Sequence, residues 1–88
     1  MKKNLENTIE KCRKIAEEKG GKVMAELSKP FFRERVVNPR VSQVGDNIWL
    51  ISKRGDVMMN VNEWQQIDIF VQVGSGWTAE RIVPCVED

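Results

Sequence analysis

The apolar pattern of this 88-residue chain changes once, at Gly20-Gly21. Before that point apolar residues recur at helical spacing; after it they alternate. A chain divided in this way folds as one amphipathic helix followed by a run of strands. In residues 4–19, Leu5, Ile9, Cys12 and Ala16 fall at i, i+4, i+7 and i+11, with Ile15 on the flank. The other positions are almost all charged or amide, which suits a solvated outer face. Asn4 reads as the N-cap and the glycine pair as the stop.

From Lys22 to Leu27 the chain alternates, with Val23, Ala25 and Leu27 on one side. Ser28-Lys29-Pro30 breaks the pattern. Phe31 to Val37 alternates again, with Phe32, Glu34 and Val36 on one side and Phe31, Arg33, Arg35 and Val37 on the other. Asn38-Pro39 marks a turn, Val41–Val44 a short extended piece, and Gly45-Asp46-Asn47 another turn. Ile48–Ser52 and Val57–Val61 read as two arms of a hairpin joined by Lys53-Arg54-Gly55-Asp56. Residues 62–73 admit two readings. Asn62-Glu63-Trp64-Gln65 resembles a capping box, with Trp64, Ile67 and Val71 following at helical spacing. Yet Ile67, Ile69, Val71 and Val73 also alternate in a segment rich in β-branched residues. After Gly74-Ser75-Gly76, Trp77–Val83 is a short strand or a helical turn capped by Thr78, and Pro84 ends it. The expected fold class is α+β, with the N-terminal amphipathic helix packed on a mostly antiparallel β-sheet in a single domain, residues 1–88.

Composition narrows the function classes. There is no histidine and there are two cysteines, so a four-ligand structural zinc site and histidine-based acid–base or nucleophile activation are ruled out. The carboxylates are scattered, not paired at a short fixed spacing. The expectation is a non-enzymatic protein with no cofactor and no metal. Cys12 reads as a small core residue of the helix and Cys85 as a strand or tail residue; a disulfide between them is the alternative. No apolar core follows Met1-Lys2-Lys3-Asn4. No apolar run approaches the roughly 20 residues that span a bilayer. The expected location is cytoplasmic, with no membrane partner.

The net charge of +1 hides a division along the chain. Residues 1–21 carry six Lys/Arg and four Asp/Glu, residues 22–54 seven against three, and residues 55–88 one against six. A positive middle and a negative end point to an anionic partner for one face, a charge-complementary protein, or self-association. The middle segment supplies the candidate nucleic-acid-binding set. Arg33, Arg35, Arg40, Lys53 and Arg54 would meet phosphates, and Trp49 or Phe31 would stack on unpaired bases. The bland alternative makes Phe31 and Trp49 packing residues and the cations a solvated face. Trp64 and Trp77, flanked by polar residues and glycine, are the candidate protein-interface residues or a homodimer contact; core burial is the alternative. The Arg54-Gly55-Asp56 tripeptide, an integrin ligand in some extracellular proteins, reads here as turn chemistry.

Gly55-Asp56-Val57-Met58-Met59-Asn60-Val61-Asn62-Glu63-Trp64-Gln65-Gln66-Ile67 resembles the last strand and helix start of the positive-cofactor-four type of single-stranded DNA-binding domain. The resemblance covers 13 of 88 residues and takes the helical alternative after residue 62. It implies a curved antiparallel sheet, dimerisation through the helix, and basic and aromatic residues gripping a single strand. The long N-terminal helix and the segment after Gly74 depart from that layout. Two functions are therefore expected: a regulatory module binding single-stranded nucleic acid through its basic sheet region, or a protein-interaction module. The second would be a phage- or mobile-element-type inhibitor or adaptor acting on a host protein.

Overall fold

The computed structural model describes residues 2–74 and 76–82. Helix α1 (Lys2–Lys19) buries Leu5, Thr8, Ile9, Cys12 and Ala16, the expected stripe with Thr8 added. It starts two residues before the expected cap, so Asn4 is helical. At its other end Gly20 adopts φ +68° and the Gly21 N–H donates to the Ala16 carbonyl at 2.9 Å. This six-to-one bond is the Schellman arrangement, which needs a left-handed residue at the Gly20 position. Gly21 is constrained by space instead. A Cβ there would lie 2.6 Å from the Gln72 carbonyl oxygen and 2.6 Å from Val73 Cγ2.

Among the described residues seven strands follow: β1 (Lys22–Lys29), β2 (Phe32–Val37), β3 (Arg40–Val44), β4 (Asn47–Ile51), β5 (Met58–Asn60), β6 (Gln66–Val73) and β7 (Gly76–Ile82). The α+β class is as expected, but the strands divide between two sheets. One has the order β2-β1-β6-β7, the other β3-β4-β5, and every pairing is antiparallel. One face of the larger sheet carries Val23, Ala25 and Leu27 of β1 opposite Val71, Ile69 and Ile67 of β6. That face, with Val36, packs with the α1 stripe and with Leu50, Val61 and Trp64 into one core. The helix and the smaller sheet thus share one side of the larger sheet.

The register of β1 decides the ambiguous stretch. Three apolar residues of β1 stand ready at a two-residue spacing, and Ile67, Ile69 and Val71 meet all three as a strand. A helix would turn some of them to water. What remains of the helical signal is a three-residue 3-10 turn, Val61–Glu63, capped by Asn60 and not Asn62; the Asn60 side chain accepts the Asn62 N–H at 3.0 Å. The capped helix implied by the family resemblance is therefore a single turn running into a strand. Residues 76–82 are likewise strand, without the Thr78-capped helical turn. Cys85 lies outside the described residues, and Cys12 is buried in the core. No helix among the described residues is long and apolar enough to cross a membrane.

Edge strand β2 is guarded against pairing with a second copy. Its centre reads Arg33-Glu34-Arg35, all exposed. Two β2 strands related by a two-fold axis perpendicular to the sheet through Glu34 would set Glu34 against itself and Arg33 against Arg35.

Candidate nucleic-acid interface

The chain leaves the larger sheet for the smaller one at Asn38-Pro39. Asn38 takes φ +49° and ties this corner to β1: its N–H donates to the Val23 carbonyl at 2.8 Å, and its Oδ1 accepts the Val23 N–H at 3.4 Å. Pro39 is buried, and its carbonyl accepts from Arg13 Nη2 at 3.3 Å. Glu10 holds the same guanidinium at 2.8 Å. These contacts aim Arg13 at the corner.

Two adjoining cavities flank the corner and share Asn38 and Lys53. One, of about 500 Å³, is lined by Arg13, Glu17, Arg40 and Lys53 over a floor of Ala16, Gly21 and Val23. The other, of about 370 Å³, is lined by Arg35, Lys53, Arg54 and Asp56 with Val36, Val37, Ser52 and Val57. Five cationic residues from four parts of the chain therefore line the two cavities with two carboxylates, although the Arg35 guanidinium is itself held by Glu26 on the other face of the larger sheet. Four of the five were expected from the sequence: Arg35, Arg40, Lys53 and Arg54. Arg13 was missed. It lies on the flank of the helix stripe, and only the tertiary packing of α1 beside β3 brings it here.

The loop carrying Lys53 and Arg54 is rigidly built. Ser52, itself buried, donates its N–H to the Val57 carbonyl at 2.9 Å and accepts the Gly55 N–H on its own carbonyl at 2.9 Å. Its hydroxyl accepts the Val57 N–H at 3.1 Å and donates to Asp56 Oδ1 at 2.6 Å. Gly55 takes φ +80°, which a side chain would resist. The Ser52 hydroxyl is the largest influence holding the Asp56 carboxyl below its ordinary value of 3.8. The residue's own N–H and the Arg54 charge act in the same direction, against a smaller effect of burial. One of the two carboxylates at the corner is thus already engaged inside the loop.

Arg33 and Arg35 share one carboxylate. Glu26 Oε1 lies 3.0 Å from Arg35 Nε and 3.9 Å from Arg33 Nε, on the face of the larger sheet turned away from α1. Arg33 stays outside both cavities. Trp49 is half-buried on the outer face of the smaller sheet, since its neighbours Ile48 and Leu50 belong to the core side. There it stands opposite Ser42 and Asn60, while Arg40 and Met58 stand opposite Ile51 two residues on. Arg40 and Trp49 are diagonal neighbours on one face, with Cα atoms roughly 7–8 Å apart in such a pairing. Phe31 is not brought to this place; it lies at the far tip of the β1–β2 hairpin.

No family model, curated protein or solved structure matches this chain. Its function has to be read from the geometry.

Of the two tryptophans expected at a protein interface, Trp64 is a core residue. It is 9% exposed and roofed by Lys29, whose Nζ lies 4.8 Å from the ring centroid. The burial alternative holds for it because Val61 and Ile67, on either side, both enter the core. Trp77 stands opposite Gln72 in the β6–β7 register, and its side chain lies outside the described residues. Among the described residues, no three of the Cys, Asp and Glu side chains gather as metal ligands would.

Proposed function

We propose that this is a small non-enzymatic protein that binds single-stranded nucleic acid, holding phosphates at the Asn38-Pro39 corner. The observation that supports it is the convergence of Arg13, Arg35, Arg40, Lys53 and Arg54 on two adjoining cavities lined by only two carboxylates. Among the described residues Arg40 and Lys53 have no ion-pair partner, so their charge is available to a ligand. Cations without local acids attract phosphate and release its counterions. Trp49, on the same sheet face as Arg40, adds a flat ring for an unpaired base. A protein-partner reading has less to stand on, because Trp64 is enclosed by the core.

The test is fluorescence anisotropy with labelled single-stranded and duplex oligonucleotides at low and moderate salt. Saturable binding that weakens with salt and prefers single strands is expected. Absence of binding at low salt would turn the search to protein partners.

A further inference from the structure

The β1–β2 hairpin turns at Pro30-Phe31, between the paired residues Lys29 and Phe32, and the rings of Phe31 and Phe32 both stand in water. Phe31 is 91% exposed and Phe32 is 64% exposed. Leaving two such rings in water forgoes the stability that their burial would contribute. Large apolar groups gathered in one exposed place mark a contact site.

The neighbours specify the contact. Lys29 Nζ lies 5.5 Å from the Phe32 ring centroid as well as over Trp64, so one face of Phe32 is backed by an ammonium seated on the core. Arg33 and Arg35 follow along one face of β2, sharing the single Glu26 carboxylate and keeping a net positive charge. Arg35 also lines the cavity at the Asn38 corner. The aromatic tip, the two guanidiniums and the basic corner thus form one line along an open sheet edge. At about 3.4 Å per residue, the run from Phe31 to Asn38 separates tip from corner by about 24 Å.

We infer that the hairpin tip is a second contact for the strand bound at the corner. Phe31 stacks an unpaired base there, and Arg33 and Arg35 meet the phosphates between. This rests on the nucleic-acid reading. At the roughly 3.4 Å rise of a stacked strand, the line takes up to about seven nucleotides. A single strand is the occupant that uses every part of it. A paired duplex would leave the rings without bases, and an apolar protein pocket would leave the row of guanidiniums without partners.

The experiment is an affinity ladder with labelled single-stranded oligonucleotides from about three to about twelve nucleotides, a range that brackets small single-strand sites. Wild-type affinity should climb to about seven nucleotides and then flatten. Phe31→Ala should leave the shortest oligonucleotides unaffected and weaken the longer ones about 5- to 150-fold, the cost of losing one base–aromatic stack. Phe31→Trp should restore the climb. Because Phe31 touches little of the fold, the unfolding midpoint of Phe31→Ala should match wild type. If Phe31→Ala and the double variant Phe31→Ala/Phe32→Ser climb the ladder like wild type, the tip does not touch the strand; the inference falls and the corner reading stands. The inference falls equally if the variants lose only co-sedimentation with anionic lipid vesicles. If wild type binds no oligonucleotide of any length, both fall together.

Discussion

The Ser52 hydroxyl donates to the Asp56 carboxylate across four residues at 2.6 Å, inside the loop that carries Lys53 and Arg54 to the basic corner. The same oxygen accepts the Val57 N–H, so one buried hydroxyl fixes both ends of the loop. The Asp56 carboxyl is lowered in the folded state relative to its ordinary value of 3.8. Its contribution to stability is therefore complete above that ordinary value and is lost as the pH falls through the folded-state value. In an acid titration followed by carboxyl chemical shift, Asp56 should titrate below its ordinary value. Ser52→Ala should move it back up and speed hydrogen exchange at Val57. An unchanged titration in Ser52→Ala would show that the hydroxyl is not what holds the carboxylate.

Removing two of the corner cations should weaken oligonucleotide binding without regard to sequence. For Arg40→Ala/Lys53→Ala, the slope of log affinity against log salt should shrink by roughly 1.4 if each cation meets one phosphate of a single strand. Both side chains are exposed, so the fold should be intact by thermal unfolding. A variant with wild-type affinity and slope would move the phosphate contacts elsewhere.

Glu26→Gln should act in the opposite direction. It removes the carboxylate shared by Arg33 and Arg35 while keeping a side chain of similar size. Affinity at low salt should rise, and the gain should fade at higher salt, where charge effects are screened. If affinity drops, Glu26 matters by positioning the two guanidiniums and not by neutralising them.

Gly21→Ala should destabilise the fold by about 1–3 kcal/mol, as overpacking does. The new methyl would meet the Gln72 backbone carbonyl, which is held in the β1–β6 ladder and has no rotamer to escape into. Gly20→Ala differs in kind. It meets open space, and its cost is the left-handed φ alone, roughly 1 kcal/mol. Denaturant unfolding of the two variants separates the mechanisms; equal losses would argue against the close approach at Gly21.

Trp64→Ala should cost about 3–5 kcal/mol, as for other large-to-small changes in a core. Lys29→Ala removes the ammonium over the rings together with the methylene stem that carries it, and should cost about 1 kcal/mol. Tryptophan emission should shift to the red in Lys29→Ala as Trp64 gains water. Emission identical to wild type would mean that Lys29 does not shield the indole.

The fold was legible wherever local pattern and tertiary demand agree. The Leu5–Ala16 stripe placed the helix to within two residues, and the Ile48–Val61 hairpin stood out through its apolar arms and glycine-bearing loop. Residues 62–73 were open because a 3.6-residue and a two-residue period both fit them. Only the three apolar residues of β1, far earlier in the chain, choose between the two. The division into two sheets was not legible either, since alternation fixes which residues share a face but not which strands are neighbours. At the basic corner, composition pointed to four cations. The fifth, Arg13, belongs to the site only because Pro39 presents its carbonyl to the helix. Trp64 looked accessible from its polar neighbours, and its burial follows from the chain bending back into β6.

The order in which the sheets are threaded has a kinetic consequence. β1 and β6 are central neighbours, yet the whole β3-β4-β5 sheet lies between them in the chain. Their pairing reaches from Ser28 to Gln66 and from Lys22 to Gln72, so it closes a long loop before any of its contacts form. The two short hairpins of the smaller sheet have no such loop to close. Once formed, they shorten the free chain that must be drawn in. Refolding should therefore begin within residues 40–60 and wait on β6 finding β1. The part of the molecule that carries Arg40, Trp49, Lys53 and Arg54 would be built before the larger sheet it rests on.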